Sequence, residues 1–98
     1  MTEEEARRLL AESRAKIDSC DRKLVDLLND RTRMVEDIGR AKKTLAMEVL
    51  EPRREESVYR NVLLHNRGPI PDEALRRIFE QIIEEMRALQ GLQPPEQK

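Results

Sequence analysis

Residues 3–46 contain almost nothing that stops a helix: the first glycine is Gly39 and the first proline is Pro52. Within that stretch apolar residues recur at Leu9/Leu10, Ile17, Leu24, Leu27/Leu28, Met34/Val35, Ile38 and Leu45, a helical period with near-heptad character. Thr2 followed by Glu5 reads as a capping box, and Glu3, Glu4 and Glu5 fill a first turn that favours negative charge. Gly39 is an interior glycine that such a helix tolerates at a cost of ~1 kcal/mol relative to alanine. The pattern predicts one unbroken helix over about 3–44.

The remaining chain is punctuated more tightly. Glu51–Pro52 marks a second helix start, with proline near the first helical position, and "NRGP" ends that helix at about Asn66. "GPIPDE" opens a third helix over about 71–90, carrying Leu75, Ile78/Phe79, Ile82/Ile83, Met86 and Leu89 and stopping at Gly91. Residues 91–98 are expected to form a flexible tail. The expectation is a single all-α domain over 1–98, with one very long N-terminal helix and two shorter ones. Composition agrees: 38% hydrophobic, 40% charged and two aromatics, Tyr59 and Phe79, suit narrow apolar stripes and not a β-sandwich.

Length constrains the assembly. A helix over 3–44 is ~63 Å long, whereas a compact domain of this size has a radius of gyration of ~13 Å. Neither short helix can cover the long one, and an uncovered seam needs a second chain. An intertwined homodimer is therefore expected; a single-chain hairpin would leave an exposed apolar stripe.

Several classes are disfavoured. Nineteen basic and twenty acidic residues leave a net charge of −1, without the basic excess of a general nucleic-acid binder. One cysteine, Cys20, and one histidine, His65, offer neither an internal disulfide nor a zinc set. No apolar run approaches membrane-spanning length, and "MTEEEARR" does not read as a signal peptide. The expectation is a cytoplasmic protein without metal or cofactor.

Polar residues interrupt the apolar stripes in a pattern. Counting by sevens from Ile17 gives Leu24, Arg31, Ile38 and Leu45, so a permanent cation sits in the seam. Lys42 follows Leu28 and Val35 in an adjacent column, which extends backwards to Asp21 and Arg14. On the second helix the face of Val58, Tyr59, Val62 and Leu63 runs back into Glu55, Arg54 and Glu51. On the third, Phe79, Ile83 and Met86 lead to Gln90. Each residue alone has an ordinary explanation: snorkelling, a helix-surface ion pair, or a cation favoured in a last turn. Together they suggest a polar pocket that receives an anion, because a buried charge without partners is costly.

The segments "SRAKIDSCDRKLVDLLNDRTRMVEDIGRAKK", "EPRREESVYRNV" and "NRGPIPDEALRRIFEQIIEEMRALQ" resemble the all-helical chorismate mutase family, over about residues 10–91. The resemblance implies an isomerase that converts chorismate to prephenate in phenylalanine and tyrosine biosynthesis. It also implies an intertwined homodimer with two active sites. It places carboxylate-binding arginines at Arg14, donated to the partner's site, and at Arg31. Lys42 would contact a carboxylate and the ether oxygen, and Gln90 would be the second donor to that oxygen. Glu51 and Glu55 would engage the substrate hydroxyl, and Arg54 would help hold the site together. Two departures stand out: Glu51 where some members have aspartate, and Met86 where a small hydroxyl residue is common. Met86 can pack but cannot bind a carboxylate.

The implied reaction breaks a C–O bond while forming a C–C bond, and needs no nucleophile, metal or proton transfer. The protein must hold a flexible dianion in its reactive conformer and stabilise charge growing on the ether oxygen. Arginine forks suit the first task, and Lys42 and Gln90 the second. Two other readings remain at this level. One is an isochorismate-pyruvate lyase on the same scaffold, and the other is a non-catalytic helical dimerisation module. Feedback control would require association with another aromatic-pathway enzyme.

Overall fold

In a computed structural model describing residues 1–93, the chain forms three helices and, among those residues, no strand. They are α1 (Glu3–Thr44), α2 (Pro52–His65) and α3 (Asp72–Gly91). Gly91 closes α3, and the last five residues of the expected tail lie outside the described residues. The chain divides into two units, Met1–Arg31 and Thr32–Lys98.

The N-terminal unit is helix alone. Thr2 Oγ1 accepts the Glu5 N–H at 3.1 Å, which satisfies one of the donors orphaned at a helix start, and the Thr2 carbonyl accepts the Ala6 N–H at 2.9 Å as the first bond of the helix. Glu3–Arg7 and Glu4–Arg8 pairs line its first two turns, each exposed and worth little. Its apolar residues Leu9, Leu10, Ile17, Leu24, Val25, Leu27 and Leu28 are all exposed. Over this unit, the apolar positions that periodicity picks out are therefore uncovered.

The second unit packs the end of α1, α2 and α3 around Val35, Ile83 and Met86, the buried apolar residues. Gly39 and Lys42 are buried with them on α1. Between α2 and α3, Asn66 organises the turn: its Nδ2 donates to the Ile70 carbonyl at 2.9 Å and to Asp72 Oδ1 at 2.7 Å, and its Oδ1 accepts the Gly68 N–H at 3.0 Å. Gly68 takes φ 72°, a region that favours glycine.

α1 ends in a left-handed cap. The Met47 N–H reaches the Lys42 carbonyl at 2.8 Å and the Ala46 N–H reaches the Lys43 carbonyl at 3.2 Å, the paired bonds of a Schellman motif. Its left-handed position is filled by Ala46, at φ 55°. An L-residue pays ~1–2 kcal/mol there, while glycine gives back part of the gain through the entropy of the unfolded chain. Ala46→Gly should therefore stabilise the fold by roughly 0.5–1 kcal/mol, read as a higher midpoint of urea unfolding. A lower midpoint would show that the left-handed alanine carries no strain.

Candidate functional site

Lys42 is 6% exposed and is the buried charged residue among those described. A buried ammonium must find acceptors, and an ammonium has three protons to place. Lys42 Nζ donates to the Val49 carbonyl at 2.7 Å and to Gln90 Oε1 at 2.9 Å, and it forms an ion pair with Glu51 Oε1 at 2.7 Å. These partners come from the α1–α2 connection, the last turn of α3, and the residue at the head of α2. The Glu51 side chain makes no capping bond to the α2 N-terminus, where Pro52 removes one donor in any case. It turns to Lys42 instead.

The bond from Lys42 also sets the sense of the Gln90 amide. Oε1 faces the ammonium, so Nε2 is the end turned elsewhere and able to donate. A cation and an amide donor are thereby held side by side on adjoining helices.

Glu55, one turn into α2, is tied to α3 by Arg87. Arg87 Nε donates to Glu55 Oε2 at 2.8 Å and Nη2 donates to Oε1 at 2.6 Å, a bidentate fork. Hydrogen bonding to Arg87 holds the Glu55 carboxyl below the ordinary glutamate range; burial opposes this, and the charges of Arg87 and Lys42 add to it. The Arg87 guanidinium is pushed up in turn by its bond to Glu55. Arg87 was not among the residues singled out from sequence. It lies four residues after Ile83 and three before Gln90, so the stripe that led to Gln90 also passes through it.

Met86 is buried in the core and its Sδ accepts a hydrogen bond from Thr32 Oγ1 at 3.4 Å. Arg54 is exposed and donates through Nη1 to Ser57 Oγ on its own helix at 3.2 Å, apart from the Lys42 cluster. Arg14, exposed, and Arg31, half-buried, belong to the N-terminal unit. Further along α2, Tyr59 lies beneath the Arg76 guanidinium at 4.3 Å, and burial followed by the charges of Glu80 and Glu55 raises its phenol above the usual range. Among the described residues no group of His, Cys, Asp and Glu is arranged to hold a metal ion, and no helix is long and apolar enough to cross a membrane.

A family model described as chorismate mutase type II matches residues 13–91. A bifunctional chorismate mutase/prephenate dehydratase of Neisseria gonorrhoeae is 38% identical over 82 residues, which cover 84% of this chain and 22% of that protein. The chain thus spans about a fifth of the length of such bifunctional relatives. A chorismate mutase of Methanocaldococcus jannaschii is 33% identical over 82 residues, covering 83% of each chain. The solved structure of a chorismate mutase from Thermus thermophilus superposes with a TM-score of 0.83 at 32% identity, covering 86% of this chain and 96% of that one.

The Glu55–Arg87 fork makes a pH-dependent contribution with a definite sign. Because the folded-state carboxyl titrates below its unfolded value, the stabilisation is full above the unfolded pKa and is lost as pH falls through the folded one. Arg87→Met should cost roughly 1 kcal/mol at pH ~7, discounted for the partial exposure of both groups. The gap between variant and parent should narrow in urea melts as pH falls below the ordinary glutamate range. A gap unchanged across that range would assign the loss to packing of the arginine stem.

Proposed function

Because the chain belongs to the type II chorismate mutase family, we propose that it catalyses the rearrangement of chorismate to prephenate, on the route to phenylalanine and tyrosine. The observation that supports this reading best is the Lys42–Gln90 pair, a buried cation joined to an oriented amide. A Claisen rearrangement asks a protein for that combination: preorganised donors where charge develops on the ether oxygen, and no group that must gain or lose a proton.

In this reading Gln90 Nε2 donates to the ether oxygen. Lys42 reaches the same oxygen or a neighbouring carboxylate by exchanging one of its three present partners for the substrate. Glu55, kept ionised by Arg87, accepts from the substrate hydroxyl, with Glu51 beside it. Arg31 and Arg14 are assigned to the two carboxylates, with Arg54 supporting the site. Arg14 and Arg31 are seventeen residues apart, ~25 Å along a helix, which a small substrate cannot bridge. Arg14 would therefore serve the site of a second chain, and pairing two α1 helices would bury the exposed seam from Leu9 to Leu28. The bifunctional relatives, named for both a chorismate mutase and a prephenate dehydratase, favour a prephenate dehydratase as the consumer of the product.

The test is to incubate purified protein with chorismate and, separately, with isochorismate, and to identify products. Prephenate from chorismate is expected; pyruvate released from isochorismate, without prephenate from chorismate, would point to the lyase instead. Gln90→Ala should reduce kcat by ~10²–10³. Gln90→Glu should be active only at acidic pH, where the carboxyl carries a proton to donate, whereas the parent should hold its rate through neutrality. Mixing Arg14→Ala with Lys42→Ala subunits should restore turnover, since each heterodimer would contain one intact site. No recovery after proven subunit exchange would refute shared sites.

A further inference from the structure

Gly39 is buried on α1 one turn before Lys42, and the space where a side chain would stand is taken by α3. A Cβ at this position would lie 2.9 Å from the Gln90 carbonyl oxygen, 3.2 Å from Gln90 Cα and 2.8 Å from Gln93 Cγ. The Gln93 methylene belongs to a flexible side chain and can swing aside. The Gln90 atoms are backbone, and the carbonyl already accepts the Gln93 N–H at 3.3 Å, so they can yield only if the end of α3 retreats. Gly91 is the internal contrast: it is Gln90's neighbour, and a Cβ there meets nothing within 4 Å.

We propose that Gly39 is a positioning residue for the reaction: its missing side chain lets the α3 backbone close onto α1 at Gln90, and that approach places the Gln90 amide against Lys42. The inference rests on the assignment of Lys42 and Gln90 to the ether oxygen. The Lys42–Gln90 bond is 2.9 Å long. Seating a methyl group at ordinary contact distance would push the Gln90 backbone back by about half an ångström, which stretches that bond towards its limit. Helix propensity argues the other way, since alanine in a helix interior is favoured over glycine by ~1 kcal/mol. A glycine tolerated merely at a cost and a glycine required by the approach of α3 therefore predict opposite consequences for Gly39→Ala.

The experiment is a double-mutant cycle on the full chain, with Gly91→Ala as control and a circular-dichroism melt of every variant. Gly39→Ala should lower kcat by about ten- to a hundredfold, with a smaller change in KM, because a displacement of this size acts on the oriented donor. Gly91→Ala should stay within about twofold of the parent. In a Gln90→Ala background, Gly39→Ala should cost less than about threefold more, since the amide it positions is gone. If Gly39→Ala does not fold, Gly39→Ala/Gln93→Ala, which clears the flexible contact and keeps the backbone one, replaces it in the cycle. Side-chain amide resonances in ¹⁵N NMR give a readout without turnover: those of Gln90 should shift in Gly39→Ala and hold in Gly91→Ala.

A parental kcat in Gly39→Ala, an equal loss in both backgrounds, or unshifted Gln90 resonances would overturn the inference. Absence of prephenate from the parent, or full activity in Gln90→Ala, would overturn the reading on which it rests; the amide resonances would still decide whether Gly39 places Gln90.

Discussion

The second unit is organised around a cation that has left water. Lys42 Nζ has three partners: it donates to a carbonyl of the connection after α1 and to the amide at the end of α3, and it pairs with the carboxylate at the head of α2. Removing any one leaves a buried charge short of a partner, and an uncompensated buried charge costs more than most packing defects. The three segments are therefore tied to one point by electrostatic necessity. The fork from Arg87 to Glu55 joins α2 to α3 a second time.

Such a cluster is a poor device for stability alone. Desolvating an ammonium and a carboxylate roughly cancels their attraction, and an apolar replacement of similar volume is commonly as stable or more so. Its value lies in orientation: the Gln90 amide has one sense because Lys42 takes its oxygen, and the Glu55 carboxylate has one plane because Arg87 grips both oxygens. The N-terminal unit presents the complementary problem. Its apolar residues are exposed and its own ion pairs lie at the surface, so neither contributes much to holding it in a single chain.

Much of this was legible in the sequence where the governing forces are local. Three helices follow from where glycine and proline fall, and an uninterrupted helical period is visible without tertiary knowledge. Lys42, Glu51 and Gln90 could be picked out because each breaks an apolar stripe at helical spacing, and the structure brings those three together. Arg87 breaks the same stripe as Gln90 but looked like an ordinary helix-surface arginine, since its partner Glu55 lies on another helix. The contact that fills the space over Gly39 was invisible for the same reason: distance between helix backbones is a property of packing. Met86 stands in the buried core with Thr32 on its sulfur, a contact no spacing rule suggests.

Three local departures from good helix chemistry fall close together along the chain, and each leads to Lys42. Gly39 forgoes helix propensity, and α3 comes close enough for Gln90 to meet the ammonium. Ala46 adopts a left-handed conformation, and the chain turns back so that the Val49 carbonyl reaches the same atom. Glu51 stands where a side chain would cap α2, makes no capping bond, and pairs with Lys42. None of the three makes sense as optimisation of the element in which it occurs. Their common term is the placement of one buried cation and its partners, and local rules are most often broken where a geometry is being held for chemistry. That convergence is a reason, separate from the stripe of polar residues, to propose the site around Lys42.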